Sequence, residues 1–170
     1  YFHERGLEVL LKKFVNNNLF ISAEIPADIP MDVFIISVGT PLDKATKKPI
    51  ISHIESAVTD VAKCLRPGGL VVLRSTVPVG LTRSYVLPIL QKYQKARFYM
   101  AFAPERTIEG KALSELKYLP QVVGGLDEES LNKASEIFIQ VTKTIIRVSS
   151  LETAEMIKIL DNSYRDLTFA

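Results

Sequence analysis

A single cysteine, Cys64, stands in 170 residues. That excludes an internal disulfide and fits a reducing compartment, so a cytoplasmic location is expected. Long apolar runs are missing too: none approaches the ~20 residues of a membrane span, and no signal peptide precedes the first helical pattern. Neither sign of charge is in marked excess, with 21 basic against 19 acidic residues, which argues against a nucleic-acid footprint. Internal repeats and low-complexity stretches are absent. What remains is 47% hydrophobic and 24% charged, at a length of about one domain with a real core. The chain begins at Tyr1 without a methionine and stops at Ala170 inside a helical pattern. It is expected to be a piece of a longer protein.

The centre of the pattern is Gly69 to Gly80, where the apolar run Leu70–Leu73 stops in Ser75, Thr76, Pro78 and Gly80. This is how a buried parallel strand ends at an exposed edge. In open α/β sheets ligands bind outside such carboxyl ends, so Ser75 and Thr76 either stand at a site or cap the helix that follows. Before it, Asp32–Val38 reads as a central strand ending in Gly39-Thr40-Pro41, and Leu19–Ser22 as a short edge strand. After it, Arg97–Phe102 ends in a third loop, Ala103–Gly110, which holds two carboxylates. Gln121–Gly125 and Thr144–Val148 complete the strands.

Helical periods lie between them. Leu7–Asn18 carries a stripe at 7, 10, 11, 14 and 15. Ser52 and Glu55 have capping-box spacing ahead of Ile54, Ala57, Val58, Val61, Ala62 and Leu65. Cys64 reads as core filler there, and His53 as a surface residue. Leu81–Tyr93 needs a kink or a late start at Pro88. Asp127 caps a helix with Leu131, Ala134, Phe138 and Val141 inward, and Ser149 to Glu152 form another capping box. Lys44–Lys48 reads as a solvated turn. The alternation of strand and helix predicts a parallel sheet covered on both faces.

The last helix places Glu155, Lys158, Asn162, Arg165 and Asp166 on one polar stripe. One reading is a solvated face with pairs such as Glu155–Lys158 and Asp161–Arg165. The other is that Lys158 and Asn162, one turn apart, project into a cleft and stabilise a developing oxyanion.

Four motifs occur in order: Gly39-Thr40-Pro41, Ser75-Thr76-Val77-Pro78-Val79-Gly80, Pro104-Glu105-x-x-x-Glu109-Gly110 and Ala154-Glu155-x-x-Lys158-x-x-x-Asn162. Together they resemble the UDP-glucose/GDP-mannose dehydrogenase family over nearly the whole chain. The resemblance implies a doubly wound, Rossmann-like α/β domain over residues 1–150, truncated at its N-terminal end, and then the start of a long central helix over 151–170. It implies oxidation of the C6 alcohol of a nucleotide sugar to a carboxylate in two steps with NAD, through a thioester on a cysteine. By position, Thr40, Pro41, Ser75, Thr76 and Glu109 resemble NAD contacts, and Thr76 also a ligand of the catalytic water. Glu105 resembles the carboxylate that assists hydrolysis, and Lys158 and Asn162 the pair that holds the C6 oxygen. The loop Glu105, Arg106, Thr107, Ile108 and Glu109 resembles a substrate-binding segment. A UDP-sugar substrate and a homodimer or higher homo-oligomer through the central helix are implied; no metal, nucleic acid or membrane is.

Two features depart from the family pattern. No Gly-rich pyrophosphate loop with a ribose-binding acid is present, and Cys64 does not match the nucleophile, so the chain alone is expected to be inactive. Arg106 stands where many glucose-type members have phenylalanine. Pro104-Glu105-Arg106, with Thr153–Met156 and Asn162–Asp166, is similar to members acting on UDP-N-acetylhexosamines, UDP-N-acetylmannosamine above all. UDP-glucose is the alternative sugar, and a non-catalytic α/β binding module the alternative class.

Overall fold

A computed structural model describes residues 4–26, 29–108 and 110–169. The elements are α1 (Leu7–Phe14), β1 (Val33–Ile36), α2 (Ser52–Cys64), β2 (Leu70–Leu73), a π-helical turn (Thr82–Val86) running into α3 (Leu87–Tyr93), β3 (Tyr99–Phe102), α4 (Ala112–Tyr118), β4 (Gln121–Gly125), α5 (Glu128–Phe138), β5 (Ile145–Val148) and α6 (Leu151–Phe169). Among the described residues the strands form one sheet in the order β1-β2-β3-β4-β5. Alternation along each strand sends Phe34, Ile36, Val71, Leu73, Met100 and Phe102 to a core under α2, α3 and α6. Leu70, Val72, Ala101 and Val123 face α5 on the other side. Both faces are covered, as expected of a doubly wound α/β sheet.

The sheet is not parallel throughout. β1, β2 and β3 run together, but β4 pairs antiparallel with β3, setting Phe102 opposite Gly124, and β5 follows β4 in parallel. The cause lies in residues 103–120. A parallel return needs a crossover element packed across the sheet, and α4 has seven residues, none of them buried. The chain therefore stays at the carboxyl edge of β3 and enters β4 from there. This reversal also turns α6 around: it starts beside the far end of β4 and climbs toward the carboxyl edge of β1–β3.

Other expectations fail locally. Leu19–Ser22 is not a strand: Asn16, in the left-handed region at φ 62°, folds a turn in which its amide donates to the Leu19 carbonyl, and Phe20 and Ile21 are exposed. α1 ends at Phe14, four residues before Asn18, and buries none of its stripe. α2 begins at Ser52 itself, without a side-chain cap, so the Ser52–Glu55 box does not form. α5 does have its Asp127 cap, through the Ser130 amide at 2.8 Å, but it stops at Phe138 and leaves Val141 exposed. At α6 the cap is Ser150, accepting from the Thr153 amide, while Glu152 pairs with Arg83. Pro88, second residue of α3, cannot donate to the Ser84 carbonyl; the wider π turn before it absorbs that missing bond.

α6 seats on β4 because Gly124 has no side chain. A Cβ there would collide with the Ser150 carbonyl oxygen and stand 3.0 Å from the Ala154 Cβ. Gly124→Ala in the full-length protein is expected to cost roughly 1–3 kcal/mol. The measurement is a denaturant midpoint, and an unchanged one would mean that α6 can move off β4 freely.

Candidate active site

The loops leaving β1 and β2 are stitched together by hydroxyls. Ser75 Oγ donates to the Val38 carbonyl at 2.7 Å, and Thr40 Oγ1 donates to the Thr76 carbonyl at 2.6 Å. Neither Ser75 nor Thr76 caps the next helix. Glu155 of α6 does so, accepting the amides of Gly80 and Thr82 and the Thr82 hydroxyl. Ser75 is buried, whereas Thr76 and Pro41 are exposed at the strand exits. Of the two readings of the polar stripe, the solvated one pairs Glu155 with Lys158; Glu155 is instead fully buried, where the amides at the start of the π turn satisfy its carboxylate.

The carboxylate of Glu105, just beyond β3, is held at both oxygens. Oε1 accepts the amides of Arg106 and Thr107 at 2.8 and 2.9 Å, and Oε2 accepts Arg74 Nη2 at 2.6 Å. Burial pushes its pKa up, but the Thr107 amide and the Arg74 guanidinium outweigh that and hold it at about 2 instead of 4.5. It is ionised throughout the neutral range.

Lys158 and Asn162 reach the same region from α6. Lys158 is 8% exposed and forms no ion pair among the described residues. Burial lowers its ammonium pKa, and Arg165 adds to that, against the opposing pull of Glu105 and Asp161. Asn162 is half-buried and accepts Arg165 Nη2 on its Oδ1 at 3.0 Å, which leaves its amide N–H groups as donors. The solvated-face pairs do not form: Asp161 accepts Arg106 Nε at 2.6 Å and not Arg165. Arg106 also donates to the Pro120 carbonyl at 3.1 Å, so it pins its loop to α6. The Ile108 amide donates to Glu115 at 2.6 Å. A cleft of about 220 Å³ opens among these groups, lined by Arg106, Ile108, Lys158, Asp161 and Arg165 with Glu115 and Leu119. Glu109, expected to touch NAD, lies outside the described residues.

Three participants were not read from the sequence. Arg74 and Gln121 support Glu105, and Asp161 engages Arg106. A signal for the first was present: Arg74 continues the every-other-residue register of Leu70 and Val72 that faces α5, so a cation there had to be buried.

The geometry is an ammonium that opens on this cleft, with an ionised carboxylate close to it and an amide donor at an adjoining opening that shares Ile108 and Arg165, beside hydroxyl-bearing loops at a sheet edge. Residues 1–142 match the profile of the UDP-glucose/GDP-mannose dehydrogenase family, NAD binding domain. The chain belongs to this family. The UDP-N-acetyl-D-mannosamine dehydrogenase of Pyrococcus horikoshii is 36% identical over 143 residues, 82% of this chain and 34% of its own. That of Methanococcus vannielii is 34% identical over 171 residues, 98% of this chain and 38% of its own. The chain thus spans well under half of these relatives. Among solved structures, the UDP-N-acetyl-mannosamine dehydrogenase of Staphylococcus aureus superposes with a TM-score of 0.85 at 27% identity, over 97% of this chain and 40% of that one. A UDP-glucose dehydrogenase from Pyrobaculum islandicum gives 0.85 at 26%, over 96% and 39%. NAD is the cofactor of the matched domain, and the strand exits fit it in part: Thr76 and Pro41 are exposed where a dinucleotide lies in this fold, with Thr40 and Ser75 fastening them.

Two outcomes follow from the charges. Because the folded Glu105 titrates below its ordinary value, its stabilisation is complete above about pH 5 and is lost as pH falls toward 2. With the Glu105 side chain 44% exposed, screening limits it to about 1 kcal/mol, so Glu105→Gln should be less stable than the parent at neutral pH and the gap should close as pH falls through 2. A denaturation series in which the gap is independent of pH would contradict this. Lys158→Met should do the reverse and raise stability at neutral pH, because burial disfavours an ammonium that has no carboxylate partner among the described residues. A lower thermal midpoint in that variant would mean that the ammonium is satisfied after all.

Proposed function

We propose that this chain is part of an NAD-dependent UDP-sugar 6-dehydrogenase that converts the C6 alcohol of UDP-N-acetyl-D-mannosamine to a carboxylate in two oxidations. The observation that carries this reading is the unpaired Lys158 ammonium beside an ionised Glu105, with the Asn162 amide one turn further along α6. Relatives named UDP-N-acetyl-D-mannosamine dehydrogenase at 31–36% identity support the sugar. In this reading residues 151–170 open a connecting helix through which copies associate, and the enzyme works in the cytoplasm.

NAD, when bound, takes the hydride that leaves C6 in each oxidation. Thr76 and Pro41 are the exposed residues placed to touch it. In the first step C6 loses a hydride and its hydroxyl a proton, giving an aldehyde, and the charge developing on oxygen meets the donors of Lys158 and Asn162. A cysteine thiol from outside residues 1–170 adds to the aldehyde; loss of a second hydride and the hydroxyl proton leaves a thioester. Water then attacks, loses a proton, and the thiolate departs. A carboxyl group that titrates near 2 is a poor final store for that proton, but it stays a fixed anion and can accept a hydrogen bond from the water at every neutral pH. Glu105 therefore orients the water and steadies the positive charge growing on it. Arg106, tied to Asp161 and Pro120, shapes the sugar-binding loop chiefly by fixing its position.

The test is NADH formation by the full-length protein with UDP-N-acetylmannosamine, UDP-N-acetylglucosamine and UDP-glucose. Preference for the first supports the reading, preference for UDP-glucose moves it to the runner-up sugar, and no NADH with any favours a binding module. Glu105→Gln should give a burst of NADH and then a covalent sugar-nucleotide adduct visible by intact-protein mass spectrometry, with turnover slowed about 10²–10³-fold. Normal turnover in that variant would remove Glu105 from hydrolysis.

A further inference from the structure

Arg74 has no part in the steps above, yet its side chain is the most constrained cation of the site. It is 8% exposed, and a guanidinium so placed is costly unless its donors and its face are matched. Here they are. Nη1 donates to Gln121 Oε1 at 3.1 Å, Nη2 donates to Glu105 Oε2 at 2.6 Å, and Cζ lies 5.0 Å from the centroid of the Phe138 ring. Gln121 is itself fixed, since its Nε2 donates to the carbonyls of Pro104 and Val122 at 3.0 and 2.8 Å. Its oxygen has one place to point, toward Arg74. Strand β4 delivers Gln121 to this edge only because it runs antiparallel to β3.

We propose that Arg74 is a positioning residue that holds the Glu105 carboxylate away from Lys158, so that Glu105 serves the water and Lys158 serves the substrate oxygen. Arg74 faces Glu105 from the end of β2 and Lys158 stands near it from α6, while Arg106, Asp161 and Arg165 face Lys158. Arg106 is taken by Asp161, and Arg165 donates to Asn162. Without Arg74, the cation left for Glu105 is Lys158, which has no ion pair among the described residues. A Glu105–Lys158 pair would neutralise both groups for their separate tasks. A lysine at position 74 is a poor replacement: one ammonium cannot stack on Phe138 and reach Gln121 and Glu105 with a flat fork.

The inference rests on the hydrolytic role proposed for Glu105, and the experiment separates the two. Arg74→Met, Arg74→Lys, Glu105→Gln and the double variant Arg74→Met/Glu105→Gln are made in the full-length enzyme and assayed with NAD and UDP-N-acetylmannosamine. Arg74→Met should lower kcat about 10²-fold, with KM for both substrates within about threefold of the parent. It should accumulate the same covalent adduct as Glu105→Gln, and the double variant should be little worse than Glu105→Gln alone. Arg74→Lys, which keeps charge and most of the bulk, should still slow turnover about tenfold and decides the matter if Arg74→Met does not fold. Parental kcat in Arg74→Lys, losses that multiply in the double variant, or a rise in KM without adduct would overturn the positioning role. Failure of Glu105→Gln itself to trap an adduct would overturn the hydrolytic reading instead.

Discussion

The carboxylate of Glu155 carries no ion pair among the described residues and is fully buried, and the site depends on where it sits. Two backbone amides and a hydroxyl at the start of the π turn satisfy it, where the partial positive charge of a helix N-terminus favours an anion. A buried carboxylate without these donors would cost several kcal/mol, so α6 cannot slide along its axis without losing them. Lys158 lies three residues further, one turn nearer the cleft. The same contact fixes the loop that carries Thr76, and one interaction thereby sets the two sides of the site against each other.

Around that frame the charges are arranged unequally. Glu105 has a guanidinium and two amides and is ionised well below neutral pH; Lys158 has burial and neighbouring arginines and is a weaker base for protons than a free lysine. Each arrangement suits its task. An anion that must orient water gains from being held in one protonation state, and a cation that must meet developing negative charge gains from having no carboxylate already on it. Arg106 closes the loop onto α6 through Asp161, and the apolar part of the cleft's lining is Leu119 and Ile108.

Much of this was legible in residue order. The strand endings Gly39-Thr40-Pro41 and Ser75-Thr76 were read correctly as sheet-edge loops, because apolar runs that stop in turn chemistry report a buried strand reaching solvent. The spacing of Lys158 and Asn162 placed them on one face, since residues four apart are neighbours on any helix. Glu155 was misread for a matching reason: a polar residue on a helix face looks solvated until the element that covers it is known. Arg74 and Gln121 escaped because they meet across 47 residues, and no local pattern reports such a contact.

By itself the sequence determined which segments become strands and helices, which of their faces are apolar, and which loops hold hydroxyls and carboxylates. These depend on local periodicity and turn chemistry, which a chain carries wherever it folds. Only the tertiary structure decided the directions. Strand and helix alternate in the same way whether β4 runs with β3 or against it, and the choice fell to an α4 too short to cross the sheet. That reversal brings Gln121 to the edge behind Arg74 and points α6 at Glu105, because a strand entered from the carboxyl edge must end, and release its helix, at the other.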